Sequence, residues 1–193
     1  MRVLRSSAVL ICTMFAVLGA STLNAAIVAQ MNLEEMVARA DRVFTGEVLG
    51  VSEGRVAAGG GEVPTVTYRL KVIEAFKGEF DNSKGESIAE VTMVGTLKQI
   101  LSGRHPITDF PILVQGGEYL LLVAPAGPTG LTTTMGLGQG AFAVTNAGNV
   151  KQALNGASNV GLFDGMDTRM QGGVPADYNE LAREIRGLVG GTQ

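Results

Sequence analysis

Apolar and polar residues alternate most cleanly between Thr65 and Phe80 (TVTYRLKVIEAFKGEF), and the rest of the chain is read outward from that stretch. Val66, Tyr68, Leu70 and Val72 share one face while Thr65, Thr67, Arg69 and Lys71 share the other, which is the period of two of a half-buried strand. The pattern slips at Ile73, apolar on the wet face, and at Glu74, charged on the dry one, before Phe76 returns to the original parity. A β-bulge near Val72 to Glu74 accounts for the slip. Such a bulge bends a long strand so that it serves two sheets, as the corner of a small closed barrel requires. Lys77-Gly78 ends the strand.

Towards the N-terminus, Asn32 followed by Glu35 has the form of a capping box, and Leu33, Met36, Val37 and Ala40 recur at helical spacing, so a short amphipathic helix is expected over 32–40. Val43 to Val51 (VFTGEVLGV) reads as a strand in which Gly46 marks a bulge or a close backbone approach. Ser52 to Pro64 reads as a flexible connection or long hairpin loop. Towards the C-terminus, Ile88 to Val94 alternates as a third strand, and Thr96 to Gly117 is irregular, with spacing for one helical turn at Leu97 to Leu101 before Pro106 and Pro111 forbid regular structure. Tyr119 to Ala124 (YLLLVA) is a continuous apolar run, the signature of a strand buried on both faces. Leu131 to Met135, Gly140 to Thr145 and Val150 to Leu154 read as further strands of a meander with short turns. Asn155 to Pro175 is a Gly- and Asn-rich loop with scattered hydrophobes, expected to drape over the core. Asp177 with Glu180 then caps a helix over 177–189, whose stripe is Tyr178, Leu181, Ile185 and Leu188. The fold class expected is therefore mainly β with two flanking α-helices, as an OB-like closed or partly open antiparallel barrel in a single domain over 27–193. Glycine at 27 of 193 residues fits the many tight turns of such a fold.

Composition adds a destination. Arg2 and Arg5 precede an uncharged apolar run from Ala8 to Ala20, too short to span a bilayer comfortably and followed by small residues, so 1–26 reads as a secretory signal peptide. Cys12 lies inside the apolar run and lacks the small preceding residue of a lipidated cysteine. Cleavage would leave a mature chain without cysteine, periplasmic or extracellular, with no stable membrane insertion, which must fold without disulfides. Its length of about 165 residues supports one core. Loss of the two signal arginines leaves 13 basic against 18 acidic residues, and with no basic run this balance opposes nucleic-acid binding.

Three segments together carry a resemblance: Leu33 to Val51 (LEEMVARADRVFTGEVLGV), Tyr68 to Gly78 (YRLKVIEAFKG) and Gly117 to Ala124 (GEYLLLVA), with Gly136 to Val144 beside them. They resemble the netrin-like and tissue-inhibitor-of-metalloproteinase-like family, especially its uncharacterised exported bacterial relatives. The resemblance implies an OB-like barrel, usually used for binding proteins. It transfers no site: the animal inhibitors place an N-terminal cysteine on the target's zinc, and the expected mature chain has none.

Candidate chemistry is sparse. His105 is the only histidine, so a triad or a histidine metal site would rest on it alone. Ser158 in GASNVG falls short of a nucleophile elbow, and Gly136 to Gly140, followed by an alternating AFAVT rather than a helix, reads as a bent strand or hairpin rather than a phosphate loop. Asn159, Asp164 and Asp167 lack the spacing of a calcium loop. No catalytic, cofactor or metal residue is assigned. The leading expectation is a non-catalytic exported binding module for a protein partner, contacted through Arg104, His105 and Phe110 in the irregular loop. The alternative is an enzyme inhibitor or hydrolase-associated protein with its site in the 96–117 loop, which convergence of Arg104, His105, Asp109 and Phe110 in one pocket would favour. A carbohydrate- or envelope-associated module is opposed by the absence of Trp and by only three Tyr.

Overall fold

The computed structural model describes residues 28–82 and 85–191; the expected signal peptide lies outside the described residues. In chain order the elements are α1 (Leu33–Arg39), β1 (Arg42–Ala58), β2 (Gly61–Lys77), β3 (Ile88–Val94), α2 (Leu97–Leu101), β4 (Glu118–Val123), a 3-10 turn (Leu137–Gly140), β5 (Ala141–Ala147), β6 (Val150–Asn155), β7 (Ala176–Asp177) and α3 (Tyr178–Gly190). The strands form one antiparallel sheet in the order β3-β2-β1-β4-β5-β6-β7.

Both faces of this sheet carry a core. On one face α1 and α3 bring Leu33, Met36, Leu181 and Ile185 against Val43, Leu120, Leu122 and Phe142. On the other, Phe44, Tyr68, Leu70, Val91 and Met93 pack with Leu121, Val123, Ile100 of α2 and Leu113. β4 therefore supplies both cores from adjacent residues, as its unbroken apolar run requires. The helices start where a side chain satisfies the first free N–H groups: Asn32 Oδ1 accepts from the Glu35 N–H at 2.9 Å, and Asp177 Oδ1 accepts from Asn179 and Glu180 at 2.8 and 3.0 Å. Thr96 and Gln99 close a reciprocal capping box on α2, a third helix beyond the two flanking ones.

The slip in the long strand is a bulge. Thr45 pairs with Glu74 and Gly46 with Val72, so Ile73 has no partner on β1; Phe76 and, on β1, Leu49 are skipped likewise. Ile73 is left 53% exposed. The extra residue also reverses the parity after it, so Phe76 packs on the helix-covered core and not with Tyr68 and Leu70. Gly46 sits at this bulge because an added Cβ would lie 2.9 Å from the Lys71 carbonyl oxygen. Thr65, on the wet side by parity, is buried between Gly54 and Val94 of its two neighbouring strands.

Four expectations need correction. Ser52 to Pro64 is not a loop: β1 and β2 continue as a two-stranded arm whose turn is Gly59-Gly60, both left-handed at φ 61° and 81°, which suits a two-residue hairpin. Leu131 to Met135 is not a strand of the sheet. It makes one bridge, Thr134 to Val123, while the Thr132 N–H donates to the Thr92 carbonyl at 2.7 Å, so this segment touches both β4 and β3. The sheet itself is not closed into a barrel. Finally, the Gly136 to Gly140 stretch is neither a bent strand nor a hairpin: Leu137–Gly140 is the 3-10 turn, capped by Gly136, which is left-handed at φ 54°. Among the described residues no helix is long and apolar enough to cross a membrane.

Candidate functional site

The irregular stretch after α2 is held by its histidine. The His105 Nδ1 accepts the Ile107 N–H at 3.2 Å, and Nε2 lies 3.2 Å from the Val94 carbonyl at the end of β3. A carbonyl only accepts, so these two bonds together require the neutral ring with its proton on Nε2. The imidazole stacks on Phe110, centroids 3.6 Å apart and planes 16° from parallel, and Phe110 packs in turn on the β2–β3 core. Gly95 makes room for the imidazole, since a Cβ there would meet Nε2 at 3.2 Å.

Beyond His105 the chain runs along a hollow of about 730 Å³. Pro106, Ile107 and Asp109 form one wall, Leu137 and Gln139 of the 3-10 turn another, Ala157 and Val160 a third, and Val28 and Gln30 close an end. Three loops distant in sequence meet here through backbone. The Gly138 N–H donates to the Asp109 carbonyl at 2.8 Å, and the Gly156 N–H to the Gly138 carbonyl at 2.8 Å. Side chains would keep these segments apart: a Cβ on Gly138 would be 2.9 Å from the Asp109 oxygen, and one on Gly156 2.9 Å from the Gly138 Cα.

Backbone strain gathers at the same place. Among the described residues, the non-glycine positions with left-handed φ are Asp109 (58°), Leu137 (55°), Ser158 (55°) and Asn159 (56°), and all lie in the three loops that wall the hollow. What holds the third loop is a pair of buried amides. Asn155 Oδ1 accepts from Ala157 and Asn159 N–H groups at 3.0 and 2.6 Å, and its Nδ2 donates to the Gln139 carbonyl at 2.9 Å. Asn159 Oδ1 accepts the Asn155 N–H at 2.9 Å, while its Nδ2 donates to the carbonyls of Ala153 and Val174 at 3.0 and 2.8 Å.

A second hollow of about 500 Å³ continues past Asp109, floored by Phe110, Pro111, Tyr119, Ala143 and Leu154. The residues expected to contact a partner thus divide. Phe110 lines this second hollow, half-buried; His105 lines neither but fixes Phe110 by stacking; Arg104 is exposed, with its backbone N–H on the Gln99 carbonyl at 3.0 Å. Arg104, His105, Asp109 and Phe110 do not gather in one cavity. Asn159 spends its amide on backbone, the Asp164 carbonyl accepts from Asn32 Nδ2 at 2.9 Å, and among the described residues no three His, Cys, Asp or Glu side chains are placed to hold a metal ion.

The buried polar groups elsewhere serve docking. The Tyr178 hydroxyl lies 2.9 Å from Thr45 Oγ1 and donates to Glu74 Oε2 at 2.9 Å, and Glu74 pairs with Arg186, so the start and middle of α3 are tied to β1 and β2. Burial pushes the phenol up to about 12. Tyr68, accepting the Leu113 N–H at 3.4 Å, is likewise pushed up to about 12 by burial.

The loop wall at 106–109 falls within the stretch that the sequence marks as irregular. The rest of the hollow does not show in the pattern: Gly138 is separated in the chain both from the 106–109 wall and from the 155–159 turn, and only the Asn-Gly-x-x-Asn run at Asn155 signals a structured turn. Family models and curated proteins were compared with this chain, and none matches.

Proposed function

We propose that this chain is a non-catalytic binding module, exported to the periplasm or beyond the cell, that engages a protein partner through the two hollows beside the 106–111 loop. The observation that carries the reading is the junction of three strained loops around an apolar hollow rimmed by Ile107 and Val160, exposed at 44% and 57%. Binding residues concentrate on loops fixed by a rigid scaffold, and non-glycine left-handed residues persist where the surrounding structure holds them. Among the described residues that line it, the hollow offers contact surface without a nucleophile beside a positioned base. Its scaffold is read as an OB-like barrel, partly open, in which the segment 131–135 bridges β4 and β3; the resemblance to netrin-like domains supports the same architecture and the same kind of use. Export is read from the order of charged, apolar and small residues in 1–26.

Immobilised protein should capture a partner from the exported fraction of its native host, and the Ile107→Ser, Val160→Ser double variant should lose that capture while melting within a few degrees of the parent. Equal capture by the double variant would remove the hollow as the binding surface.

A further inference from the structure

Asp109 lines both hollows, and among the described residues it is the only charged residue that lines either. Its main chain is held in the left-handed region by the bond from Gly138 to its carbonyl, so the residue is fixed at the point where the two hollows meet. Among the described residues its carboxylate has no hydrogen bond or ion pair. Apolar side chains flank it on both sides: Ile107, Leu137 and Val160 in the first hollow, Phe110 and Leu154 in the second.

We propose that the two hollows are one docking groove for an extended segment of a partner protein that carries a Lys or Arg between apolar residues, the cation pairing with Asp109 and the apolar side chains filling the hollow on either side. The inference rests on the reading of the chain as a binding module and adds the chemistry of its partner. Any occupant that covers the groove takes water from the Asp109 carboxylate, and an uncompensated desolvated charge is costly, so a neutral or acidic segment is disfavoured at that position. A Lys or Arg supplies the counter-charge while laying its methylene stem along the apolar walls. The net charge of −3 for the whole sequence favours a basic partner at longer range.

A random dodecapeptide phage library panned on the purified protein tests this. The expected selection is for peptides with a basic residue flanked by apolar ones. Synthetic copies should bind Asp109→Asn about tenfold more weakly, as should copies with norleucine in place of the basic residue bound to the parent, and combining the two changes should give no further loss. Asn is the apt substitution because it tolerates left-handed φ, so the change removes charge and leaves the loop. Val160→Arg, which places a cation at the exposed rim, should abolish binding. Groove-dependent peptides without a basic residue, or binding indifferent to Asp109→Asn, would overturn the charge assignment and leave the binding module standing. Failure to select any peptide sensitive to Val160→Arg would overturn the groove and the reading it rests on.

Discussion

The imidazole of His105 lies flat on the ring of Phe110 at 3.6 Å, and this contact joins the loop that walls both hollows to the core under β2 and β3. Its two ring nitrogens are committed to Val94 and Ile107, so the stack has a fixed orientation. Phe110→Ala should cost about 2 kcal/mol, below the 3–5 of a fully buried ring because Phe110 is half-buried. His105→Ala should cost less. In a double-mutant cycle read by urea unfolding the two rings should couple by about 0.5–1.5 kcal/mol. Additive losses would mean that the stack contributes nothing to holding the loop.

The bulge at Ile73 makes the parity of β2 testable on one side of it. Leu70 is fully buried and Arg69 beside it is exposed, so Leu70→Ala should cost about 2–5 kcal/mol and Arg69→Ala no more than about 0.5. Equal losses measured by denaturant melts would contradict the register in which Val48 faces Leu70.

What was legible in the sequence was whatever depends on local period. The alternation of Val66, Tyr68 and Leu70, the unbroken run at Leu120 to Val123 and the stripe Tyr178, Leu181, Ile185 each specify a face, and those faces are buried. Even the bulge was visible, because an extra residue must break a period of two. Its consequence for Phe76 was not, since the face taken after a bulge depends on which residue the partner strand skips. The arm over 52–64 hid for a related reason: its residues are mostly exposed, so no hydrophobic period marks them, and the pairing is set by Gly59-Gly60 and backbone bonds. The candidate site was legible only at its 106–111 wall. Gly138 and Gly156 matter through what they allow two distant backbones to do, a relation that no local pattern carries.

The buried tyrosines set the alkaline limit. Folded Tyr68 and Tyr178 hold their protons to about 12, above the ordinary phenol value of 10, so the folded state binds protons more tightly than the unfolded one. Their contribution is fully present below pH 10 and is lost as pH rises through 12. Urea midpoints should fall across that window, and less steeply in Tyr178→Phe, which keeps the ring but cannot ionise. Identical slopes in parent and variant would show that Tyr178 does not differ between the two states.

Asn159 tests whether the third wall of the groove is built by its amides. The residue is fully buried, left-handed at φ 56°, and its side chain satisfies the Asn155 N–H and the carbonyls of Ala153 and Val174. Asn159→Ala removes all of these bonds and keeps a Cβ in a backbone region that only Gly, Asn and Asp adopt readily, so it should cost about 3 kcal/mol or more. Asn159→Gly relieves the backbone alone. It should recover about 1 kcal/mol of that loss, the part owed to φ, and leave the part owed to unsatisfied buried groups. Hydrogen exchange separates the two contributions further, because the Asn155 N–H that Asn159 Oδ1 covers should exchange faster in both variants. A Gly variant as stable as the parent would show that the backbone conformation, and not the amide network, builds this wall.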